Sequence, residues 1–171
     1  MDQAAHRAVC LLRQAGVRIA ATLPDQWLGG VISALDAEPA IRLVRVTRED
    51  DGVGICAGAY LGGQRAVLVC QSAGLLLSAN ALAGYAQHHQ TPFLVLAALR
   101  GGHDDGYYYQ TYKHRVITPV LDALGLPHHT LHTPDDLSVI PDAARQAWLS
   151  RRPVVLLAHR DALRDAPQES R

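Results

Sequence analysis

The chain has a single phenylalanine and two tryptophans, and its aromatic content of 5% is made up mostly of six tyrosines. An interior of 171 residues that are 49% hydrophobic must therefore be built from Leu, Val, Ile and Ala. Charge of one sign is also missing. Sixteen basic side chains face sixteen acidic ones, so no basic stripe with interleaved aromatics marks a nucleic-acid surface. No apolar run approaches the ~18 residues of a membrane helix. The start, Met-Asp-Gln-Ala-Ala-His, lacks the basic-then-apolar layout of a signal peptide. The three cysteines, Cys10, Cys56 and Cys70, form no C-x-x-C pair and sit in apolar stretches, as reduced core residues of a cytoplasmic protein would.

What is present is alternation. A helical period over 3–15 closes at Gly16, and Val17–Thr22 is a short strand. Leu23-Pro24-Asp25 turns into a helix over 25–36. A strand over 41–46 is followed by a helix at about 50–61 that Gly62-Gly63 ends. Ala66–Cys70 is a fully apolar strand, and the turn Gln71–Gly74 leads into a helix over 75–87. Thr91–Ala98 is another buried strand, and Arg100–Gln110 is a long Gly-rich loop. A helix over 114–124, a strand over 128–131, a helix over 134–149 and a strand over 154–158 complete one domain of residues 1–165. The polar tail, 166–171, is expected to be disordered. Apolar strands alternating with helices imply an α/β fold, a parallel sheet covered by helices on both faces. In open sheets of this kind ligands meet the loops at the carboxyl ends of the strands.

One stretch at that edge stands out: T-R-E-D-D-G-V-G-I-C-A-G-A-Y, residues 47–60. It places Glu49, Asp50 and Asp51 where a helix begins, and the helix is rich in small residues that let a backbone or a flat ligand come close. First-turn acids are favoured by the helix dipole. A carboxylate held at a strand-to-helix junction for proton chemistry is the competing reading, and its place on the ligand edge makes the two about equal.

The order of elements and this run, extended to T-R-E-D-D-G-V-G-I-C-A-G-A-Y-L-G-G, resemble the pyrimidine-binding (PYR) domain of thiamine diphosphate enzymes. The likeness is to the alpha subunits of sulfopyruvate decarboxylases and to the related phosphonopyruvate decarboxylases. Q-S-A-G (71–74), T-P-F-L-V-L (91–96), R-G (100–101) and L-D-A-L-G-L-P (121–127) extend it over residues 3–160. The resemblance implies a carboxylate that hydrogen-bonds the cofactor's aminopyrimidine and so activates the thiazolium carbon, in a pocket that raises the carboxylate's pKa. Counting back from Gly52, that position is Asp50, with Glu49 in reserve. Aspartate reaches about 1.5 Å less far than glutamate, against a proton-transfer distance of roughly 2.6–3.2 Å.

The resemblance also implies what this chain should not contain. The family holds the diphosphate through Mg²⁺ with a G-D-G motif, and no G-D-G occurs here. Mg²⁺ and the diphosphate are then expected on a separate beta subunit, with thiamine diphosphate shared between subunits in an α2β2 or larger assembly. The expected substrate is a small anionic 2-keto acid. Carboligation by the same site and a non-catalytic scaffold subunit are the alternatives.

Around the cofactor, Ser72, Gly74, Thr22 and Leu23 are further candidates, each equally explained by turn chemistry. His103, Arg100 and Gln110 are the substrate-side candidates on the long loop. Asn80 reads as structural, and His88-His89 as a surface helix end. His128, His129 and His132 alternate along an extended segment and do not converge on a metal. Tyr107, Tyr108, Tyr109 and Tyr112 read as a partner-facing or solvated surface.

Overall fold

The computed structural model describes residues 3–103 and 105–165, so the expected tail lies outside the described residues. Six strands form one all-parallel sheet in the order β2-β1-β3-β4-β6-β5. They are β1 (Val17–Thr22), β2 (Arg42–Arg45), β3 (Arg65–Gln71), β4 (Leu94–Ala98), β5 (His128–Leu131) and β6 (Val154–Ala158). The apolar runs of β3, β4 and β6 lie at the centre because both of their faces are covered, which is what an unbroken apolar strand requires. On one face α1 (Gln3–Gln14), α2 (Gly29–Asp36) and α7 (Ile140–Ser150) pack over Val67, Val69, Leu94 and Leu156. On the other, α3 (Glu49–Leu61) and α6 (Thr111–Ala123) cover Leu68, Val95 and Leu157.

The departures from the sequence reading have local causes. β2, expected as a strand over 41–46, is shorter and lies at the edge of the sheet with Arg42 and Arg45 exposed. The helix expected over 25–36 starts at Gly29, because Asp25 Oδ1 accepts from the Trp27 and Leu28 amides at 2.8 and 3.2 Å and holds 25–28 as a turn. The helix expected over 75–87 is broken. α4 (Ser72–Leu77) stops where Ser78 donates its hydroxyl to the Gly74 carbonyl at 2.8 Å. A short α5 (Ala79–Ala81) then leads into a π-helical turn, Leu82–His88. Residues 134–139 form a 3₁₀ segment ahead of α7, set by a capping box between Thr133 and Asp136. No helix among the described residues is long and apolar enough to cross a membrane.

Chain order reverses between β1 and β3, so the crevice at their carboxyl ends is where an open α/β sheet offers ligand space. The loops there are 23–28, 46–48 and the start of α4, with the loop after β4 beside them.

Candidate functional site

Gly52 brings α3 down onto the sheet. A Cβ there would sit 2.6 Å from Leu68 Cδ1 and 3.5 Å from the Ala21 Cβ, so any larger residue would lift the helix and its acids. The three acids of its first turn then diverge. Glu49 is 8% exposed and lies against Gly74 of α4, where an added Cβ would overlap the Glu49 carboxylate. Below it is Cys70, whose thiol is pushed up by burial, with the Glu49 carboxylate adding to the effect. Asp50 turns outward. Arg48 grips it with one edge of the guanidinium, Nε donating to Oδ1 at 3.0 Å and Nη2 to Oδ2 at 2.9 Å. That bidentate bond holds the Asp50 carboxyl below the usual carboxylate range, the opposite of the raised value expected for it from the family resemblance.

Asp50 and Asp51 form one wall of an open cleft of about 300 Å³, with Leu77, Asn80, Gly84 and Tyr85 around the rest. The break in the expected long helix builds the far wall, because the π-helical turn presents Gly84 and Tyr85 toward α3. A Cβ at Gly84 meets nothing within 4 Å, so a flat group can lie against that backbone. Among the described residues no lysine or arginine lines the cleft, and two carboxylates do. With Arg48 offsetting one of the two charges, it suits an uncharged nitrogen ring better than a diphosphate.

The other sequence candidates gather elsewhere, at the carboxyl ends of β1, β3 and β4, around a buried ion triad. Arg100 donates from Nε and Nη2 to Asp105 at 2.8 and 3.1 Å and from Nη1 to Asp25 at 3.3 Å. The side chains of Arg100, Asp25 and Asp105 are 5%, 3% and 1% exposed. The guanidinium also packs over Trp27 at 4.5 Å and Tyr107 at 5.5 Å. Gln71 Nε2 donates to Asp25 at 2.8 Å, and Gln110 Nε2 donates to Gln71 Oε1 at 3.2 Å. Ser72 Oγ accepts from the Arg100 amide at 3.3 Å, and Thr22 Oγ1 donates to the Val69 carbonyl at 2.9 Å.

Arg100 and Gln110, expected on the substrate side, are instead buried parts of this lock. An Arg with Nε, Nη1 and Nη2 all committed to two carboxylates has little left for a substrate anion. Thr22 and Ser72 are likewise fully buried and spend their hydroxyls on backbone groups, Leu23 is half-buried, and Gly74 gives its space to Glu49. His103 alone of the three substrate candidates keeps an exposed side chain.

Asp105, Gln71 and Trp27 were missed as functional partners, and Asp25 was read only as a turn residue. Asn80 and Tyr85, which line the cleft, gave no signal beyond their place on a helix. His132 stacks on His159 at 4.6 Å; among the described residues no group of His, Cys, Asp and Glu has the arrangement to hold a metal ion.

Residues 2–139 match the family model described as "Thiamine pyrophosphate enzyme, N-terminal TPP binding domain". The chain is 29% identical over 157 residues to the sulfopyruvate decarboxylase subunit alpha of Methanococcus maripaludis, covering 91% of this chain and 92% of that one. It is 30% identical over 152 residues to the sulfopyruvate decarboxylase of Methanosarcina acetivorans, covering 88% of this chain but 38% of that protein. In fold it is similar to the 2-oxoglutarate:ferredoxin oxidoreductase of Magnetococcus marinus, with a TM-score of 0.72 at 18% identity, over 96% of this chain and 30% of that one.

Proposed function

The chain belongs to the thiamine pyrophosphate enzymes, through their N-terminal TPP binding domain, and from that premise we propose that it is the pyrimidine-binding alpha subunit of a two-subunit 2-keto acid decarboxylase. The observation that carries the reading is the cleft beside Asp50: ring-sized, open on one side, acidic at its wall and lined by no lysine or arginine among the described residues. Those residues fit the pyrimidine half of thiamine diphosphate and not its diphosphate half. When bound, the cofactor supplies an electron sink for the carbanion that loss of carbon dioxide leaves behind.

The work of this chain's own residues follows from their positions. Asp50 would hold a proton shared with a ring nitrogen, and Asn80 would orient the ring by its amide. Glu49, walled in by Gly74, is a support for the start of α3 and the reserve carboxylate. Thr22, Leu23, Ser72 and Gly74 serve by shaping the edge, since their polar groups or space are already taken. His103 is the substrate-side group still available at the surface.

The diphosphate and Mg²⁺ would be held by a beta subunit with a G-D-G motif, in an α2β2 or larger assembly in the cytoplasm. The similarity to a relative named as a subunit alpha supports this division, as does a relative in which the matching part is 38% of one longer polypeptide. Sulfopyruvate is the first substrate to try and phosphonopyruvate the second, both small anionic 2-keto acids.

The test is carbon dioxide release from sulfopyruvate by the chain mixed with its cognate beta-type subunit, thiamine diphosphate and Mg²⁺. Activity is expected only from the mixture, with Asp50→Asn lowering it by about 10²-fold or more. Full activity in an Asp50→Asn, Glu49→Gln double variant would overturn the catalytic assignment. The Arg48–Asp50 ion pair supports a second reading, a scaffold subunit whose carboxylate is occupied, and that outcome is what it forecasts. Adding an aldehyde acceptor to the same assay separates carboligation from decarboxylation.

A further inference from the structure

Four of the chain's six tyrosines, Tyr107, Tyr108, Tyr109 and Tyr112, crowd the end of the loop after β4 and the start of α6, and the function proposed above uses none of them. Two of them form a ladder between cations. The Arg100 guanidinium lies over the Tyr107 ring at 5.5 Å, and Tyr107 packs against Tyr109 with centroids 5.6 Å apart. Lys113 Nζ then sits over the Tyr109 ring at 5.4 Å. At the inner end Arg100 is fixed by Asp25 and Asp105. The ladder carries the rigidity of that buried triad out to a half-buried lysine on the first turn of α6.

Lys113 is the only lysine in the sequence; arginine supplies every other permanent side-chain cation. The two differ in what they fit. A guanidinium fork matches a planar carboxylate, whereas an ammonium is a compact charge whose three donors can follow the oxygens of a tetrahedral anion. Among the described residues Lys113 makes no ion pair or hydrogen bond, while Arg48 is committed to Asp50 and Arg100 to Asp25 and Asp105. The first turn of α6 holds no acid to balance it. α6 packs against α4, which begins at the crevice between β1 and β3, and the first turn of α3 brings Glu49, Asp50 and Asp51 to the same edge. A substrate with two negative groups is repelled by those acids and needs a fixed, uncommitted cation beside them.

We propose that Lys113 recognises the second anionic group of the 2-keto acid, its sulfonate or phosphonate, and that Tyr107 and Tyr109 hold the lysine in place for it. The inference rests on the function proposed above and deepens it by naming a specificity-determining residue. The Tyr109 ring takes one side of the ammonium and leaves its other N–H groups to the anion. It also keeps the four-carbon stem from sweeping, so less side-chain entropy is lost when the anion binds. Lys113 acts on binding and not on bond breaking, so its removal appears in KM and spares kcat.

Two measurements are made on the complex of the chain with its cognate beta-type subunit, thiamine diphosphate and Mg²⁺. The first is kinetic. Lys113→Met keeps the reach of the side chain and removes its charge; it should fold natively by circular dichroism and raise KM for sulfopyruvate at least about tenfold, with kcat within about twofold of the parent. KM for pyruvate, which lacks the second anion, should not change. Arg115→Gln removes the same charge from an exposed position of the same helix and should alter neither constant. Tyr109→Phe keeps the ring and should match the parent, whereas Tyr109→Leu should raise KM for sulfopyruvate alone. The second measurement needs no variant. Reductive methylation with isotope-labelled formaldehyde before assembly marks Lys113 and the α-amino group, and 3-sulfopropanoate, which has no keto carbon to react, is then titrated in. The Lys113 methyl resonance should shift saturably while the α-amino signal stays, and propanoate should move neither. The inference is overturned by an unchanged KM for sulfopyruvate in folded Lys113→Met, by an equal rise in Arg115→Gln, or by a Lys113 resonance that 3-sulfopropanoate does not move. A complex that releases no carbon dioxide from any 2-keto acid, but whose Lys113 resonance still saturates, would remove the decarboxylase reading and leave the anion site standing.

Discussion

The carboxylate of Glu49 occupies the space that a side chain on Gly74 would need. Through that contact the first turn of α3 is keyed to α4, and the direction taken by Asp50 follows from it. Gly74→Ala should therefore be destabilising by about 1–3 kcal/mol through overpacking. Glu49→Ala in the same chain should recover part of the loss, since it removes the group the new methyl meets. Urea midpoints of the two single variants and the double variant check this as a cycle, and additive losses would refute the keying.

The lock formed by Arg100, Asp105 and Asp25 is a claim about stability. Removing one member of a buried ion pair leaves its partner charged and unpaired, at a cost of roughly 3–5 kcal/mol. Arg100→Met and Asp105→Asn should both approach that loss in denaturant titrations, with little change in the slope. Arg100 holds the Asp105 carboxyl below the usual carboxylate range, mainly through its hydrogen bonds. A depressed folded-state pKa gives stability that is complete above the unfolded value, about 3.9, and is lost as pH falls through the folded value. The parent chain should thus lose stability in the acid range below about pH 4, and Asp105→Asn should show a shallower loss there.

Much of this was legible from residue order alone. Strand and helix alternation, the parallel sheet and the acid-to-glycine run all come from periodicity and composition, and the family resemblance agrees with the match over residues 2–139. What periodicity could not resolve was tertiary. Ser78 ends α4 by bonding back to Gly74, and nothing in the spacing of Leu75, Leu76 and Leu82 signals it. Arg100 looked like a free cation because one partner, Asp25, is 75 residues away in sequence, and the other, Asp105, pairs with it only through the fold of the loop after β4. The divergence of Glu49 from Asp50 depends on Gly74, which is not visible from either acid.

Thiol chemistry tests the core. Burial pushes the Cys56 and Cys70 thiols far above their ordinary value, whereas Cys10, expected in the core, lies on the outer side of α1 and is exposed. The thiolate is the reactive species, so a native chain should titrate one rapid thiol with an aromatic disulfide reagent and all three once denatured. Rapid reaction of a second thiol in the native chain would show that α3 does not seal the sheet at Cys56.

Arg48 sets the charge state of Asp50, and the consequence for activity has a definite sign. Its hydrogen bonds lower the Asp50 pKa, and Arg48→Ala removes them without touching the cleft wall. The acid limb of the kcat/KM profile of the assembled enzyme should then move to higher pH, because the carboxylate accepts a proton more readily. Arg48→Lys keeps a positive charge but not the two-pronged grip, and should fall between the two. Asp50→Glu should retain activity, because the added methylene lengthens the carboxylate's reach into the cleft. A profile that does not move in Arg48→Ala, together with unchanged turnover in Asp50→Asn, would transfer the proton-carrying role to another group. Glu49→Gln is then the variant to measure, since Glu49 is the one other carboxylate of this turn that the fold removes from solvent.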